Sequence, residues 1–208
     1  MHGIKVLLKH LPEIQEYFKK GKTVVEIGST RDIGSTHYLA EICTKKGMNL
    51  ITIDPTESSY KNAIEVLNKF DNPNLKAVND TGEDFLRTYE GKDICLAYLD
   101  GFDIVTDHPH KQSTIDAYKN VGIDLLKDGN RLSAEVHLDA TESIYNNISD
   151  KAVLCFDDTW KENNEWKGKG ATAVPYLLSK GGKLISKQSK PFWKKRKYNH
   201  GVLIAITK

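Results

Sequence analysis

The chain has 208 residues, of which 30 are basic and 28 are acidic, and its formal net charge is +2. This length suits one α/β domain with a full core, and the balanced charge provides no general field that would attract a polyanion. We therefore expect a single domain over residues 1–208 and no nucleic-acid partner.

The three cysteines, Cys43, Cys95 and Cys155, lack the spacing of a metal site, and two of them lie in apolar runs. Free thiols in such runs behave as small apolar groups, so we expect them to be reduced and buried. No apolar run approaches the ~20 residues of a membrane span, and the first residues lack the cationic-then-apolar order of a signal peptide. The sequence therefore predicts a cytoplasmic protein without a membrane partner.

Residues 3–20 carry apolar side chains at spacings of three and four, which predicts an amphipathic helix interrupted near Pro12. We expect this helix to pack on one sheet face or to cover the site. The apolar run 23–27 follows it as the first strand and contains an acid, Glu26, near its end.

A glycine-containing loop joins this strand to a helical segment. Its candidate binding residues are Gly28, Ser29, Thr30, Gly34, Ser35 and Thr36. A strand, a tight glycine turn and a helix that begins at the strand ends together form the ligand crevice of open α/β sheets. The loop lacks the Lys-Ser/Thr pair of a phosphate-binding loop and the spacing of a dinucleotide site. Because Glu26 would repel a pyrophosphate but accept from an ammonium, the loop favours a cationic or zwitterionic ligand.

These residues resemble the first motif of class I S-adenosylmethionine (SAM)-dependent methyltransferases, in which Glu-Ile-Gly opens the loop that holds the methionine end of the cofactor. The form Glu-Ile-Gly…Arg…Gly-Ser-Thr is similar to the macrocin-type and catechol-type O-methyltransferases. The resemblance implies a Rossmann-like α/β fold with a seven-stranded, mostly parallel sheet, strand seven antiparallel, and helices on both faces. It also implies SAM as the cofactor. Other nucleotide-type crevices and a plain strand-turn-helix remain alternatives.

The second strand, residues 50–53, ends on Asp54, and Pro55 then stops strand pairing. An acid at this place in an open α/β sheet hydrogen-bonds a ribose diol, and the resemblance implies the same role. A turn-forming aspartate is the alternative explanation of Asp54.

A short third strand, residues 75–78, is followed by Asp80 and Thr81 at the same edge of the sheet. The resemblance implies that Asp80 contacts the adenine amino group. Asp80 could equally cap the helix that begins at Gly82.

Two continuous apolar strands end abruptly in carboxylates: residues 94–99 run into Asp100, and residues 152–156 run into Asp157 and Asp158. If these strands are neighbours, their acids meet at one point, where they repel each other unless a cation lies between them. Carboxylate and water ligation suits Mg²⁺, Mn²⁺ or Ca²⁺ rather than zinc. The resemblance implies the same metal ligands, and Asp103 is the nearest substitute for a further acid; helix capping is the alternative, above all for Asp158.

About fifty residues separate these two strands, so residues 103–150 should include an insertion that shapes the substrate pocket. We expect one helix over 115–126 and a second from about 137 to 148. His108 and His110 flank Pro109 in an expected loop, whereas His137 opens the second helix and could take a proton in the crevice. His137 and Asp103 are thus the candidate bases.

The remaining chain predicts a mobile loop over the site (159–170), a last helix (170–180) and two final strands (183–185 and 201–206). The basic segment 190–197 between these strands is most simply a solvated hairpin tip; contact with an anionic substrate or with nucleic acid is the alternative.

The sequence thus predicts a SAM-dependent, magnesium-assisted O-methyltransferase that acts on a small hydroxylated acceptor, such as a sugar or secondary metabolite, and that could form a homo-oligomer. A metal-independent methyltransferase with His137 as the base is the rival enzyme. A SAM-binding module without turnover is the rival from another class.

Overall fold

The computed structural model describes residues 3–29, 34–105, 112–120, 122–186 and 200–208. Seven of the strands in these residues form one sheet with the order β3-β2-β1-β4-β5-β9-β8, in which β9 runs antiparallel to β5 and the strands from β3 to β5 are parallel. The strands are β1 (Thr23–Ile27), β2 (Asn49–Ile53), β3 (Leu75–Val78), β4 (Ile94–Leu99), β5 (Ile148–Phe156), β8 (Lys183–Leu184) and β9 (Val202–Thr207). The predicted α/β architecture with an antiparallel last strand is confirmed.

The helices lie on both faces of this sheet. They are α1 (Gly3–Lys9), α2 (Leu11–Ile14), α3 (Ser35–Lys46), α4 (Glu57–Leu67), α5 (Gly82–Thr88), α6 (Gln112–Asn120), α7 (Leu125–Asn147) and α8 (Ala173–Ser179). One core joins the sheet to α5, α7 and α8, and the other joins it to α1, α2, α3 and α4. The central strands β1 and β4 are buried along their whole length because both of their faces are covered.

The N-terminal segment packs on one face of the sheet, which is one of the two positions that the sequence predicted for it. Its helix is interrupted at His10, and Pro12 lies in the first turn of α2, where its missing N–H group is tolerated. Ile4, Leu7 and Ile14 are at most 1% exposed and belong to the core of that face. All three cysteines are free and buried, as predicted.

Two sequence expectations for the second half of the chain are wrong. The helices expected at 115–126 and 137–148 are not separated by a non-helical stretch, because α7 runs from Leu125 to Asn147 as one helix of 23 residues. Residues 159–170 are not a loop but contain a hairpin of β6 (Thr159–Glu162) and β7 (Glu165–Gly168). Asn163 and Asn164 have φ of 49° and 65°, and asparagine tolerates this conformation in a tight hairpin turn.

Several predicted features lie outside the described residues: the loop residue Thr30, the pair His108 and His110, and the basic segment 190–197. Within the described ranges, none of the helices is both long enough and apolar enough to cross a membrane.

Candidate functional site

The loops that follow the parallel strands meet along one edge of the sheet. The backbone N–H of Asp100 donates to the carbonyl of Ile27 (2.8 Å), and that of Asp157 donates to the carbonyl of Leu99 (3.0 Å). The backbone N–H of Gly28 likewise donates to the carbonyl of Ile53 in β2 (2.9 Å). The strand ends of β1, β2, β4 and β5 are therefore held side by side, and the polar residues that follow them share one crevice.

Glu26 is a fully buried acid at the end of β1. Its Oε2 accepts hydrogen bonds from the hydroxyls of Thr36 (2.7 Å) and Thr52 (2.6 Å). Its Oε1 is buried and has no hydrogen-bond partner among the described residues. Burial raises the pKa of Glu26 to about 7, although neighbouring hydroxyl groups favour the charged form. The site therefore contains a buried acceptor that a positively charged donor would satisfy.

Gly28 makes the tight turn after β1. Its φ is +88°, and a Cβ at this position would lie 2.5 Å from the carbonyl oxygen of Asp100. The backbones that follow β1 and β4 therefore approach each other so closely that only glycine fits. A Gly28→Val substitution would thus disturb the sheet edge itself, and it is not a clean test of ligand binding.

Asp54 links the loops after β1 and β2. Its Oδ2 accepts from the backbone N–H of Ser29 (3.1 Å), and its Oδ1 accepts from the N–H and the hydroxyl of Thr56 (2.9 and 2.6 Å). Each carboxylate oxygen can accept two hydrogen bonds, so Oδ2 keeps one position for a ligand hydroxyl. The structure is compatible with both the turn role and the diol-binding role of Asp54.

The remaining predicted loop residues begin two helices. Gly34 precedes α3, and Ser35 and Thr36 are buried in its first turn. Asp80 is exposed, and Thr81 rather than Asp80 caps α5, because the Thr81 hydroxyl accepts from the backbone N–H of Asp84 (3.2 Å). The capping explanation of Asp80 is therefore wrong, while its contact with a ligand stays a prediction.

A lysine that the sequence analysis did not single out lies among the predicted metal ligands. The ammonium of Lys169 donates to Oδ1 of Asp100 (2.5 Å) and to the Asp100 carbonyl (3.1 Å), and it lies 3.7 Å from Oδ2 of Asp158. Burial lowers the pKa of Lys169, but the charges of Asp100 and Asp158 outweigh this effect and hold it above the ordinary value. Burial also raises the pKa of Asp100 to about 7, against the opposing charge of Lys169.

Asp157 is occupied by donors of the protein itself. Its Oδ1 accepts from the backbone N–H groups of Gly3 (2.7 Å) and Asp158 (2.8 Å), and its Oδ2 accepts from the hydroxyl of Tyr98 (2.8 Å). Burial raises the pKa of Asp157, but these donors and the charge of Lys169 hold it below the ordinary value. Asp157 therefore anchors α1 to the end of β5.

These contacts do not support the predicted metal set of Asp100, Asp157 and Asp158. Among the described residues, no group of three or more Asp, Glu, His or Cys side chains has the geometry to hold an ion. The physical reason is that Lys169 already compensates Asp100 and Asp158, while Asp157 is turned toward neutral donors. The acids do have a cation between them, and Lys169 of the chain itself supplies it.

His137 is buried on α7 and keeps one ring nitrogen unpaired. Its Nδ1 lies 2.7 Å from the carbonyl of Ser133, which can only accept, so Nδ1 carries the proton. Its Nε2 has no hydrogen-bond partner among the described residues, and the same is true of Oγ1 of Thr141, one helical turn further on. Burial, and then the charge of Lys169, lowers the pKa of His137 to about 3. His137 is therefore a neutral imidazole with a free acceptor.

Asp103, the other candidate base, has an exposed side chain in the loop after β4. Its backbone N–H donates to the hydroxyl of Tyr118 on α6 (2.9 Å). Of the two candidates, only His137 presents a buried and unpaired acceptor. Asp103 therefore fits a proton-transfer role less well than the sequence suggested.

No family model matches this sequence, and no curated protein matches it either. Solved structures do resemble the fold. A proposed rRNA methylase from Clostridium thermocellum gives a TM-score of 0.62 at 11% identity, with 97% of this chain and 96% of that chain covered. The chain has the fold of class I SAM-dependent methyltransferases.

Two further structures support this assignment of the fold. A proposed methyltransferase from Streptococcus mutans in complex with S-adenosylhomocysteine (SAH) gives a TM-score of 0.59 at 12% identity and covers 97% of this chain and 96% of its own. The precorrin-6y C5,15-methyltransferase from Geobacter metallireducens gives 0.56 at 10% identity, with coverage of 98% and 89%. At these identities the likeness shows the fold alone and does not reach the macrocin-type or catechol-type branch.

Proposed function

We propose that this protein is a SAM-dependent methyltransferase. The observation that carries the proposal is the unpaired, buried Oε1 of Glu26 at the carboxyl edge of a sheet with the class I methyltransferase fold. A buried carboxylate oxygen without a donor is unfavourable, so its presence in a crevice indicates a ligand that brings a donor. The SAH complex of the Streptococcus mutans structure, which has the same fold, supports SAM as that ligand.

The residues of the crevice fit this cofactor. Glu26 would accept from the ammonium of the methionine part through its unpaired Oε1. Asp54 would accept from a ribose hydroxyl through Oδ2. When it is bound, the cofactor supplies an electrophilic methyl group on a sulfonium. The other loop residues, and Asp80, Thr81 and Asp100, complete the proposed binding edge.

We further propose that the acceptor is a small hydroxylated molecule. His137 is 1% exposed, so a reacting hydroxyl has to enter a buried space to reach Nε2. As the new O–CH₃ bond forms and the S–CH₃ bond breaks with its electron pair left on sulfur, the hydroxyl proton would pass to Nε2. A pKa near 3 makes this imidazole a weak base, so the proton would be transferred late, when the oxygen is already bonding to carbon.

Binding of SAH by calorimetry tests the proposal. We expect micromolar affinity for the parent protein and a loss of tenfold or more in Glu26→Gln, because a charge-assisted hydrogen bond contributes about 1.5–3 kcal/mol. Affinity should also fall as the pH is lowered from 8 to 6, since protonated Glu26 no longer attracts an ammonium. Glu65→Gln, at an exposed position of α4, is the matched control and should bind like the parent.

Unfolding would not explain a loss of binding in Glu26→Gln. The folded pKa of Glu26 lies above its ordinary value of 4.5, at about 7, so ionisation of this residue lowers the stability of the fold progressively between pH 4.5 and 7, and the whole penalty is present above pH 7. This effect is about 3 kcal/mol at pH 8, and an uncharged glutamine removes it. If the parent protein does not bind SAH, the proposed function is wrong.

A panel of acceptors with labelled SAM then tests turnover. Small sugars and hydroxylated metabolites should accept the label. RNA belongs in the panel because one of the resembling structures is named as a proposed rRNA methylase, and labelling of RNA alone would contradict the small acceptor. SAH binding without transfer to any acceptor would support the binding-module alternative.

A further inference from the structure

Lys169 is an unusual residue for a protein interior. Its side chain is 5% exposed, whereas those of Asp100 and Asp158 are 17% and 33% exposed. Lysine is almost never buried to this extent unless it is paired, and here it has two carboxylates within 4 Å. The side chain of Lys169 is therefore more deeply buried than either of the carboxylates that it contacts.

The hairpin β6–β7 determines this position. It leaves the end of β5 at Asp158 and returns to the same place, where the backbone N–H of Lys169 donates to the Asp158 carbonyl (3.2 Å). The N–H of Gly170 donates to the Thr159 hydroxyl (2.8 Å). These hydrogen bonds join the two ends of the hairpin, and the backbone of the hairpin thereby positions Lys169 beside the acids.

Several of the oxygens that a metal ion would use here already accept hydrogen bonds. Lys169 occupies Oδ1 and the carbonyl oxygen of Asp100, and Asp157 is held by Gly3, Asp158 and Tyr98. A divalent ion at this point would have to displace a buried ammonium or lie beside it, and like charges at this distance repel.

We propose that Lys169 supplies the fixed positive charge at the acceptor end of the crevice, in the place where the acid cluster would otherwise require a divalent metal ion. This inference rests on the proposed methyl transfer. Two N–H groups of the ammonium bind Asp100, and the third faces Asp158 at 3.7 Å, which is too long for a hydrogen bond. That third N–H is available to the acceptor oxygen.

In this arrangement Lys169 donates to the acceptor oxygen while the oxygen loses its proton to His137 and bonds to the methyl carbon. Lys169 keeps its own proton throughout the step. Asp100 orients the ammonium and is a positioning residue. A point charge that is fixed before the reaction stabilises the developing negative charge without reorganisation.

The first test measures Mn²⁺ binding to the parent protein by electron paramagnetic resonance. We expect no saturable site below about 1 mM Mn²⁺, and no change of melting temperature or of SAH affinity after treatment with EDTA. A stoichiometric Mn²⁺ site with micromolar affinity that Asp100→Asn removes would overturn the inference. Because this experiment needs no variant of Lys169, it stays decisive if that variant does not fold.

The second test is a double-mutant cycle. Lys169→Met should lower the melting temperature by on the order of 10 °C, because it leaves Asp100 buried without its counter-charge. Adding Asp100→Asn should recover a large part of this loss, whereas additive effects would contradict the pairing. Lys167→Met, two residues earlier and paired with exposed Glu165, is the matched control and should change the melting temperature by less than about 2 °C.

Turnover separates a catalytic role from a structural one. With an acceptor found in the panel, EDTA should leave kcat unchanged, and Lys169→Arg, which keeps the charge, should lower kcat by about tenfold or more while SAH affinity changes less than threefold. EDTA-sensitive turnover would overturn the inference. Failure of the parent to bind SAH would overturn the proposed function, whereas the Mn²⁺ and stability results test the inference by themselves.

Discussion

Burial shifts two titratable residues of the crevice in opposite directions. It raises the pKa of Glu26 to about 7 and lowers that of His137 to about 3, because in each case the charged form loses its hydration. Each side chain keeps one unpaired polar atom, Oε1 in Glu26 and Nε2 in His137. The fold therefore contains both an acid that can bind an ammonium group, Glu26, and a neutral imidazole that can accept a hydroxyl proton, His137.

The buried histidine should make the parent protein sensitive to acid. The folded pKa of His137 is lowered from 6.5 to about 3, so its contribution to stability is complete above pH 6.5 and is lost as the pH falls toward 3. Between pH 7 and 5 we expect the parent to lose about 2 kcal/mol more than His137→Gln, measured by urea unfolding at both values. His10→Gln is the control, and equal losses in the parent and His137→Gln would contradict the buried neutral imidazole.

In the proposed reaction, His137→Ala should also lower turnover by roughly 10² to 10⁴.

At the scale of elements, the hairpin β6–β7 is what brings a distant lysine to the ends of β4 and β5. Its last residue, Gly168, has a φ of +80°, and a Cβ there would lie 1.8 Å from the carbonyl oxygen of Asp158. The hairpin can close on the strand end only because this position has no side chain.

Two glycine substitutions distinguish the cost of a positive φ from the cost of the close contact with the Asp158 carbonyl. Gly168→Ala should lower the free energy of unfolding by at least about 2 kcal/mol more than Gly181→Ala, because both glycines have a similar positive φ but only Gly168 is in contact with a backbone oxygen. Urea unfolding of the two variants provides the comparison. Equal losses would show that the hairpin can shift away from Asp158 without a penalty.

At the scale of the whole molecule, Asp157 joins the first helix to the centre of the sheet. Its contact with Gly3 links residues that are 154 positions apart, and Tyr98 of β4 donates to the same carboxylate. The hydroxyl of Tyr98 also accepts from the backbone N–H of Ile4 (3.1 Å). The start of α1 is thus fixed by one buried carboxylate and one buried hydroxyl.

Loss of this carboxylate should affect stability rather than cofactor binding. Asp157→Asn should lower the free energy of unfolding by about 2–4 kcal/mol at pH 7, with SAH affinity within threefold of the parent. Because the folded pKa of Asp157 is below 3.8, this stability is present above pH 3.8 and is lost as the pH falls through the folded value. Hydrogen exchange of α1 should accelerate in the variant, and Asp150→Asn, at an exposed position of β5, is the control. Unchanged protection of α1 would contradict the anchoring role.

The sequence by itself determined the features that depend on neighbours along the chain. Continuous apolar runs predicted the buried strands, and Glu26, Gly28 and Asp54 were identified because a strand end and a tight turn have local residue preferences. The non-helical stretch expected between helices 115–126 and 137–148 is instead part of α7, because packing of this helix, a tertiary effect, overrides the low helix propensity of Gly129.

Only the tertiary structure decided which charges meet. Lys169 contacts Asp100 across 69 residues, and nothing in its own segment marks it except the glycines on either side and the Asn-Asn turn before it. Asp100 and Asp157 do follow the ends of β4 and β5, and acids that meet in this way need a cation, which is why their pattern predicted a metal ion. Whether that cation is an ion or an ammonium depends on how a hairpin returns to the sheet, and periodicity along the chain does not contain that information.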